Sequence, residues 1–247
     1  MSGQTVDIQM PDGVADAYLS RPDDDSRHPG VLLLMDAYGL RPRIEEMADR
    51  IAERGYAVLA PNVFYRAGRS PAIPIPDFTK EDERTAFFKQ VRPLMNELTS
   101  ERLAADSAAY LDELGKVASE PVGITGYCMG ARLAMRMAAA HPDRVAALGG
   151  FHGGGLVTDE PESPHGSAGA LRAEVYFGHA DNDRSNTPEQ MAALDRALEE
   201  AGVKHQSELY AGARHGYTMA DTPAYDEAAA ERHFHALFDL FGRTLAT

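Results

Sequence analysis

The chain has 247 residues, of which 44% are hydrophobic and 25% are charged. This composition excludes a disordered chain and is typical of one folded domain, which we expect over residues 1–247. The formal net charge of −14 disfavours a nucleic-acid partner, because an acidic surface repels a phosphate backbone.

Membrane and redox signals are weak throughout the sequence. Apolar runs are about as long as “VLLLM” at residues 31–35, far short of the roughly 18 to 20 residues that cross a bilayer. The first residues have no basic start and no apolar core, so we expect no secretory signal. One cysteine excludes an internal disulfide and a zinc site of several thiolates. We expect a cytoplasmic protein with no membrane partner and no cofactor; no pattern indicates its oligomeric state.

The first elements in chain order predict a hairpin followed by a βαβ unit. Apolar and polar residues alternate on both sides of a Pro-Asp-Gly turn at residues 11–13, which is typical of a β-hairpin. “HPGVLLLMDAYG” and “YAVLAPNVFY” are continuous apolar runs, as in buried parallel strands. A helix with one apolar face separates them and ends at Gly55.

The middle of the chain departs from this regular pattern. Residues 66–78 are rich in proline, which predicts a surface loop, and Pro93 is expected to kink or break the next helix. We therefore interpret the segment at about 66–100 as a lid or insert. Beyond it, four further strand patterns alternate with helices, and no dinucleotide or Walker motif follows a strand. The order predicts an α/β fold with a mostly parallel central sheet, helices on both faces and an N-terminal β-hairpin.

Cys128 lies in a Gly-x-Cys-x-Gly frame between a strand and a helix. A nucleophile at a strand-to-helix turn has a strained backbone, and side chains two residues before and after it would collide with the neighbouring strand and helix. Gly126 and Gly130 remove both collisions. The following helix provides N–H donors and a positive dipole end, which favour a thiolate. We interpret Cys128 as a nucleophile; the alternative is a buried cysteine that only packs.

A thiol nucleophile needs a base, and the base needs an orienting group. In α/β-hydrolases both follow the nucleophile on loops after strands, the acid first and the histidine last. Asp181 in “VYFGHAD” and His215 in “YAGARHG” occupy those places. Asp183 is the rival acid, and we favour Asp181 because it leaves the strand sooner. A metal site at His179, Asp181 and Asp183 is disfavoured, because this is a sparse ligand set.

The sequence resembles the dienelactone hydrolase family of α/β-hydrolases over most of its length, through “LLLMDAYGL”, “ERGYAVLAPNVFYR”, “GITGYCMGAR”, “FGHADND” and “YAGARHGY”. The resemblance implies a triad of Cys128, His215 and Asp181, in which Cys128 attacks an ester or lactone carbonyl. It also implies an oxyanion hole formed by the backbone N–H groups of Ala37 and Met129. The expected function is thiol-dependent hydrolysis of small esters or lactones through an acyl-cysteine intermediate.

Two positions depart from the family pattern. Members that act on dienelactone carry a glutamate where this chain has Asp36, and that carboxylate is thought to pair with the resting thiol. Asp36 is the corresponding thiol partner in this chain. It keeps the negative charge but is one methylene shorter, so its contact with the Cys128 thiol is either lost or mediated by water. The arginine that helps those enzymes hold the substrate carboxylate aligns with Met219. We therefore expect a substrate other than dienelactone itself.

Three more side chains are candidates for substrate binding. Tyr38 either covers the acyl group or closes its loop by packing. His152, at the end of a strand, either lines the pocket or is a hydrogen-bonded loop histidine. Arg84, in the insert, either binds a substrate carboxylate or is an exposed helical arginine. We expect surface positions for His205, His233 and His235.

Two other functions remain open. An acyltransferase would use the same acyl-Cys128 intermediate and would partition it between water and added alcohols. A catalytically silent binding protein would leave Cys128 no more reactive toward alkylating agents than an ordinary thiol. The complete set of nucleophile, base and acid argues against the silent protein.

Overall fold

The computed structural model describes residues 2–245, which form a single eight-stranded sheet and six α-helices. The strands are β1 (Ser2–Met10), β2 (Gly13–Arg21), β3 (His28–Leu34), β4 (Ala57–Pro61), β5 (Ala118–Tyr127), β6 (Val145–Phe151), β7 (Glu174–Ala180) and β8 (His205–Tyr210). The helices are α1 (Pro42–Ala52), α2 (Glu81–Asn96), α3 (Ser100–Gly115), α4 (Met129–Ala140), α5 (Pro188–Glu200) and α6 (Glu227–Thr244).

The sheet has the order β1-β2-β4-β3-β5-β6-β7-β8. The hairpin of β1 and β2 is antiparallel and joins β4 in antiparallel fashion, and every pairing from β4 through to β8 is parallel. This confirms the predicted α/β fold with its N-terminal hairpin. The hairpin forms because a Pro-Asp-Gly turn separates two stretches whose apolar residues alternate.

Helices cover both faces of the sheet. Gly149 and Gly150 are neighbours on β6, and successive residues of a strand point to opposite faces. A Cβ on Gly149 would meet Leu237 of α6, whereas a Cβ on Gly150 would lie 3.4 Å from the Cβ of Ala131 of α4. Burial on two sides explains why the central strands are continuous apolar runs.

The parallel strands place five loops at one edge of the sheet. The carboxyl ends of β3, β5, β6, β7 and β8 meet there, which is where α/β folds bind ligands. These ends carry Asp36, Cys128, His152, Asp183 and His215 respectively. Residues far apart in the sequence therefore line a common cavity.

The segment at about 66–100, expected to be a lid or insert, differs from the prediction in the continuity of its helix. Helix α2 continues through Pro93 to Asn96, so the proline does not break it. The loop before α2 and its first turns carry Phe78, Arg84 and Phe88, which line the cavity.

The expectation that His233 lies at the surface is wrong. Its side chain is fully buried, and Nε2 lies 3.2 Å from the hydroxyl of Tyr127. Burial lowers the pKa of His233 to about 3, so it stays neutral.

Candidate active site

Cys128 occupies the tip of a sharp turn between β5 and α4. Its backbone has φ of 54° and ψ of −114°, a conformation that is strained for a residue with a side chain. A Cβ on Gly126 would lie 2.2 Å from the carbonyl oxygen of Gly130, and a Cβ on Gly130 would lie 2.2 Å from that of Leu34. The two glycines therefore allow the turn to pack against both α4 and β3.

The two residues predicted to form an oxyanion hole, Ala37 and Met129, both lie near Cys128 in the fold. Met129 is the first residue of α4, so its N–H has no acceptor within the helix. Ala37 follows β3 and lines the same cavity as Cys128. The positive end of the α4 dipole adds to the attraction for a negative charge at this point.

His215 lies beside Cys128 and is hydrogen-bonded to Asp183. Its Nδ1 is 2.6 Å from Oδ2 of Asp183, whose side chain is only 5% exposed. The other oxygen of Asp183 accepts hydrogen bonds from the backbone N–H (2.8 Å) and the hydroxyl (2.7 Å) of Ser185. Asp183 is therefore fixed in a position to orient the imidazole.

The expectation that Asp181 orients His215 is wrong in this structure. Oδ2 of Asp181 accepts a hydrogen bond from the backbone N–H of Gly212 (2.9 Å), and its own N–H donates to the carbonyl oxygen of Ala213 (2.7 Å). Asn182, between the two aspartates, has a positive φ of 53°. Asp181 thus joins two loops, and the next acidic residue reaches the histidine.

The charges of this group favour a protonated imidazole. Burial alone would lower the pKa of His215, but the charge of Cys128 and the hydrogen bonds with Asp183 and Cys128 raise it well above its usual range. Burial likewise opposes ionisation of Asp183, and the contact with His215 outweighs it and lowers the pKa of Asp183. A protonated imidazole at this point would stabilise negative charge that develops on the sulfur of Cys128.

Asp36, the predicted thiol partner, is hydrogen-bonded to other groups, in line with the expectation that its direct contact with Cys128 is lost or mediated by water. Both carboxylate oxygens of Asp36 accept hydrogen bonds from the guanidinium of Arg41, at 2.7 and 3.0 Å. Oδ1 also accepts from the backbone N–H of Tyr38 at 3.0 Å. Asp36 still lines the cavity, but Arg41 neutralises its negative charge.

The cavity has a volume of about 660 Å³ and one aromatic wall. The ring of Tyr38 packs on Phe78 (4.7 Å between centroids) and Phe88 (5.5 Å), and all three line the cavity. Burial, followed by the charge of Asp36, raises the pKa of Tyr38 to about 12, so its hydroxyl stays protonated. Arg84 lines the same wall, and its guanidinium donates to the carbonyl oxygen of Phe78.

His152 lies against the base rather than in contact with solvent. It is 1% exposed, and its ring packs edge-on to the rings of His215 (5.3 Å) and Tyr217 (5.0 Å). Nε2 is 2.7 Å from the hydroxyl of Thr218, whereas Nδ1 has no hydrogen-bond partner within residues 2–245. Burial, followed by the charge of His215, lowers the pKa of His152 well below its usual range, so it is neutral.

The residues considered for a metal have separate partners. His179 is buried and its Nδ1 accepts from the side-chain amide of Asn186 at 2.9 Å, while Asp181 and Asp183 bind Gly212 and His215. The part of the chain that the structure describes contains no helix long and apolar enough to cross a membrane.

The sequence interpretation missed Arg41, the cation next to Asp36, and Asp221, the second carboxylate that binds it. Nε of Arg41 donates to Oδ2 of Asp221 at 2.6 Å, across two loops that are 180 residues apart. The five-residue separation of Asp36 and Arg41 in a loop was the available signal, since it allows a short return contact. Nothing in the local sequence indicates Asp221.

Comparison with known proteins identifies the family. Residues 15–245 match the model of the dienelactone hydrolase family. A “putative carboxymethylenebutenolidase” of Salmonella typhi is 27% identical over 238 residues, covering 92% of this chain and 82% of that protein. The carboxymethylenebutenolidase of Rhodococcus opacus is 25% identical over 217 residues, covering 87% and 81%.

Solved structures show the same fold. A “putative dienelactone hydrolase” of Klebsiella pneumoniae superimposes with a TM-score of 0.86 at 21% identity, covering 98% of each chain. A dienelactone hydrolase of Anabaena variabilis gives a TM-score of 0.70 at 16% identity, covering 99% of each chain. The chain belongs to the dienelactone hydrolase family and is a hydrolase with the α/β-hydrolase fold.

Proposed function

We propose that the protein hydrolyses small carboxylic esters or lactones with Cys128 as the nucleophile, His215 as the base and Asp183 as the orienting acid. The observation that carries the proposal is the placement of the only cysteine in a strained turn beside a histidine that is hydrogen-bonded to a buried carboxylate. A cysteine that merely packs does not need this conformation, which costs about 1 to 3 kcal/mol.

In the first half of the reaction, the thiolate sulfur of Cys128 attacks the carbonyl carbon and forms a C–S bond. The carbonyl oxygen becomes an oxyanion, which accepts hydrogen bonds from the N–H groups of Met129 and Ala37. The C–O bond to the leaving group then breaks, and the imidazolium of His215 gives its proton to that oxygen. A lactone leaves its own alcohol end attached to the acyl chain.

In the second half, water hydrolyses the thioester. His215, now neutral, takes a proton from water as the water oxygen attacks the acyl carbon. The C–S bond breaks, the carboxylic acid leaves, and the thiolate and imidazolium are restored. Asp183 keeps Nδ1 of His215 protonated throughout, so that Nε2 performs both proton transfers.

The cavity limits the substrate class. A volume of about 660 Å³ fits a small molecule, and Tyr38, Phe78 and Phe88 favour an apolar or ring-containing group along one wall. Met219 is buried and contacts Arg41 rather than offering a charge to the substrate. We therefore expect uncharged esters and lactones to be better substrates than dienelactone.

The test compares native protein with Cys128→Ala on short-chain nitrophenyl esters and a panel of lactones that includes dienelactone. Both proteins are first matched for folding by circular dichroism. Hydrolysis by the native protein that is lost in the variant supports the proposal, and equal rates in both contradict it. Added alcohols in the same assay distinguish hydrolysis from acyl transfer, because a transferase would form the new ester in preference to the acid.

A further inference from the structure

Arg41 is a buried cation that contacts Asp36, which lines the same cavity as Cys128. Its side chain is 2% exposed and contacts two carboxylates. It donates two hydrogen bonds to Asp36, and two to Asp221 at 2.6 and 3.2 Å. It also donates to the carbonyl oxygen of Gly39 at 3.1 Å, and one nitrogen lies 3.5 Å from the sulfur of Met219.

These contacts engage all three nitrogens of the guanidinium as hydrogen-bond donors. Burial alone would lower the pKa of Arg41, but the charge of Asp36 and the hydrogen bonds with Asp221 and Asp36 raise it. The group is therefore permanently charged and has no donor left for a substrate carboxylate. It links the loop after β3, which carries Ala37, to the loop after β8, which carries His215.

Arg41 can affect the ionisation of the Cys128 thiol through Asp36. Asp36 and Cys128 line the same cavity. A buried carboxylate without a cation would disfavour a second negative charge on sulfur and would accept a hydrogen bond from the S–H group. Since Arg41 engages both oxygens, Asp36 is neutralised and His215 is the group left to take the thiol proton.

We propose that Arg41 is a positioning residue that holds Asp36 away from Cys128, so that the resting thiol is paired with His215 before any substrate binds. The proposal rests on the proposed function, in which Cys128 is the nucleophile. It implies that the free protein is already in the reactive state and needs no substrate to displace a carboxylate.

The experiment measures the alkylation of Cys128 by iodoacetamide, in which sulfur displaces iodide and forms a C–S bond. The chain has one cysteine, so intact mass reports this residue alone. We compare native protein, Arg41→Met and the double variant Arg41→Met/Asp36→Asn from pH 5 to 10, each shown to be folded by its thermal transition. The single variant should react about tenfold more slowly at pH 7, with a pH profile displaced upward, because the freed carboxylate opposes the thiolate.

The double variant decides between positioning and a merely structural role. Removing the freed charge should restore the rate to within about threefold of native. A double variant that stays as slow as the single variant overturns the proposal, as does a single variant that reacts at the native rate. If Arg41→Met does not fold, Arg41→Gln is used with and without Asp36→Asn, and the same restoration is required.

Failure of the proposed function gives a different result. In that case native protein and Cys128→Ala hydrolyse esters at equal rates, whatever the alkylation rates of the Arg41 variants.

Discussion

Close backbone packing fixes the turn around Cys128, residues 126–130, whereas side-chain hydrogen bonds fix the positions of Asp183 and His215 in the loops at residues 181–186 and 212–219. At the turn, added atoms on either glycine would lie 2.2 Å from a carbonyl oxygen. At the loops, Asp183 binds both His215 and Ser185 through its carboxylate. The turn is therefore sensitive to substitutions that add side-chain volume. The two loops are sensitive to substitutions that change charge or hydrogen-bonding capacity.

This difference has a functional reason. A nucleophile must stay at one point relative to the oxyanion donors, and close backbone packing provides that precision. The base must change its protonation state twice in each cycle, which requires partners that respond to charge. Variants in the turn and in the two loops should therefore fail in different ways.

The largest effect is expected for Gly130→Ala. The new methyl group would overlap the backbone of Leu34 and Met35, which cannot move without shifting β3. We expect a loss of unfolding free energy of about 3 kcal/mol or more, measured by urea titration. The control is Gly242→Ala in α6, where no other part of residues 2–245 outside the neighbouring helix backbone lies within 4 Å of the new Cβ, and stability should change by no more than about 1 kcal/mol. Equal stability of both variants would contradict backbone packing at the turn.

The next largest effect is expected for Asp183→Asn, which keeps the shape but loses the charge that orients His215. We expect kcat/KM for a nitrophenyl ester to fall by about 10³- to 10⁴-fold with little change in stability. Asp181→Asn is the matched control on the same loop, and its amide oxygen can still accept from Gly212. Its kcat/KM should change by about threefold or less. A larger loss of kcat/KM in Asp181→Asn than in Asp183→Asn would assign the acid role to Asp181.

The pH behaviour of two neighbouring histidines sharpens the comparison. The pKa of His215 is raised by Cys128 and Asp183 against the effect of burial, whereas burial lowers that of His152. In nitrogen-15 spectra, His215 should therefore lose its proton well above neutral pH, while His152 stays neutral into the acid range. Asp183→Asn should lower the pKa of His215, because the carboxylate stabilises the protonated ring. A His215 pKa that is unaffected by this substitution would show that the carboxylate does not act on the ring.

The smallest effect is expected for Thr218→Val. The substitution removes the hydroxyl that is 2.7 Å from Nε2 of His152 and leaves that buried nitrogen without a partner. We expect the unfolding free energy to fall by about 1 to 3 kcal/mol, while kcat/KM stays within about tenfold of native. Thermal unfolding measures the change in stability, and ester hydrolysis measures kcat/KM. A much larger loss of activity than of stability would instead give His152 a direct part in the reaction.

The fold and the nucleophile turn are predictable from sequence because their causes are local. Continuous apolar runs follow from strands that are buried on two faces, and paired glycines follow from steric limits within five residues. Cys128 and His215 could therefore be proposed as site residues from their places after two strands, and both line the same cavity. The family match confirms the fold and the hydrolase class.

The charged partners are harder to predict because their contacts depend on the path of several loops. Asp181 and Asp183 are two residues apart, and the path of the loop between them places Asp183 against His215 and Asp181 against Gly212. Likewise, the fate of Asp36 is set by Arg41 and by Asp221, which is 180 residues from that arginine. Spacing in the sequence contains no information on such long-range hydrogen bonds.

The most direct test of the account is the mass of enzyme quenched in acid during turnover of nitrophenyl pivalate, whose bulky acyl group slows deacylation. Native protein and Cys128→Ala are measured in parallel. The account predicts one pivaloyl group on the peptide that contains Cys128, formed at least as fast as steady-state turnover, and neither adduct nor turnover in the variant. Turnover at the native rate in Cys128→Ala, with no adduct on native Cys128, would contradict nucleophilic catalysis by this cysteine.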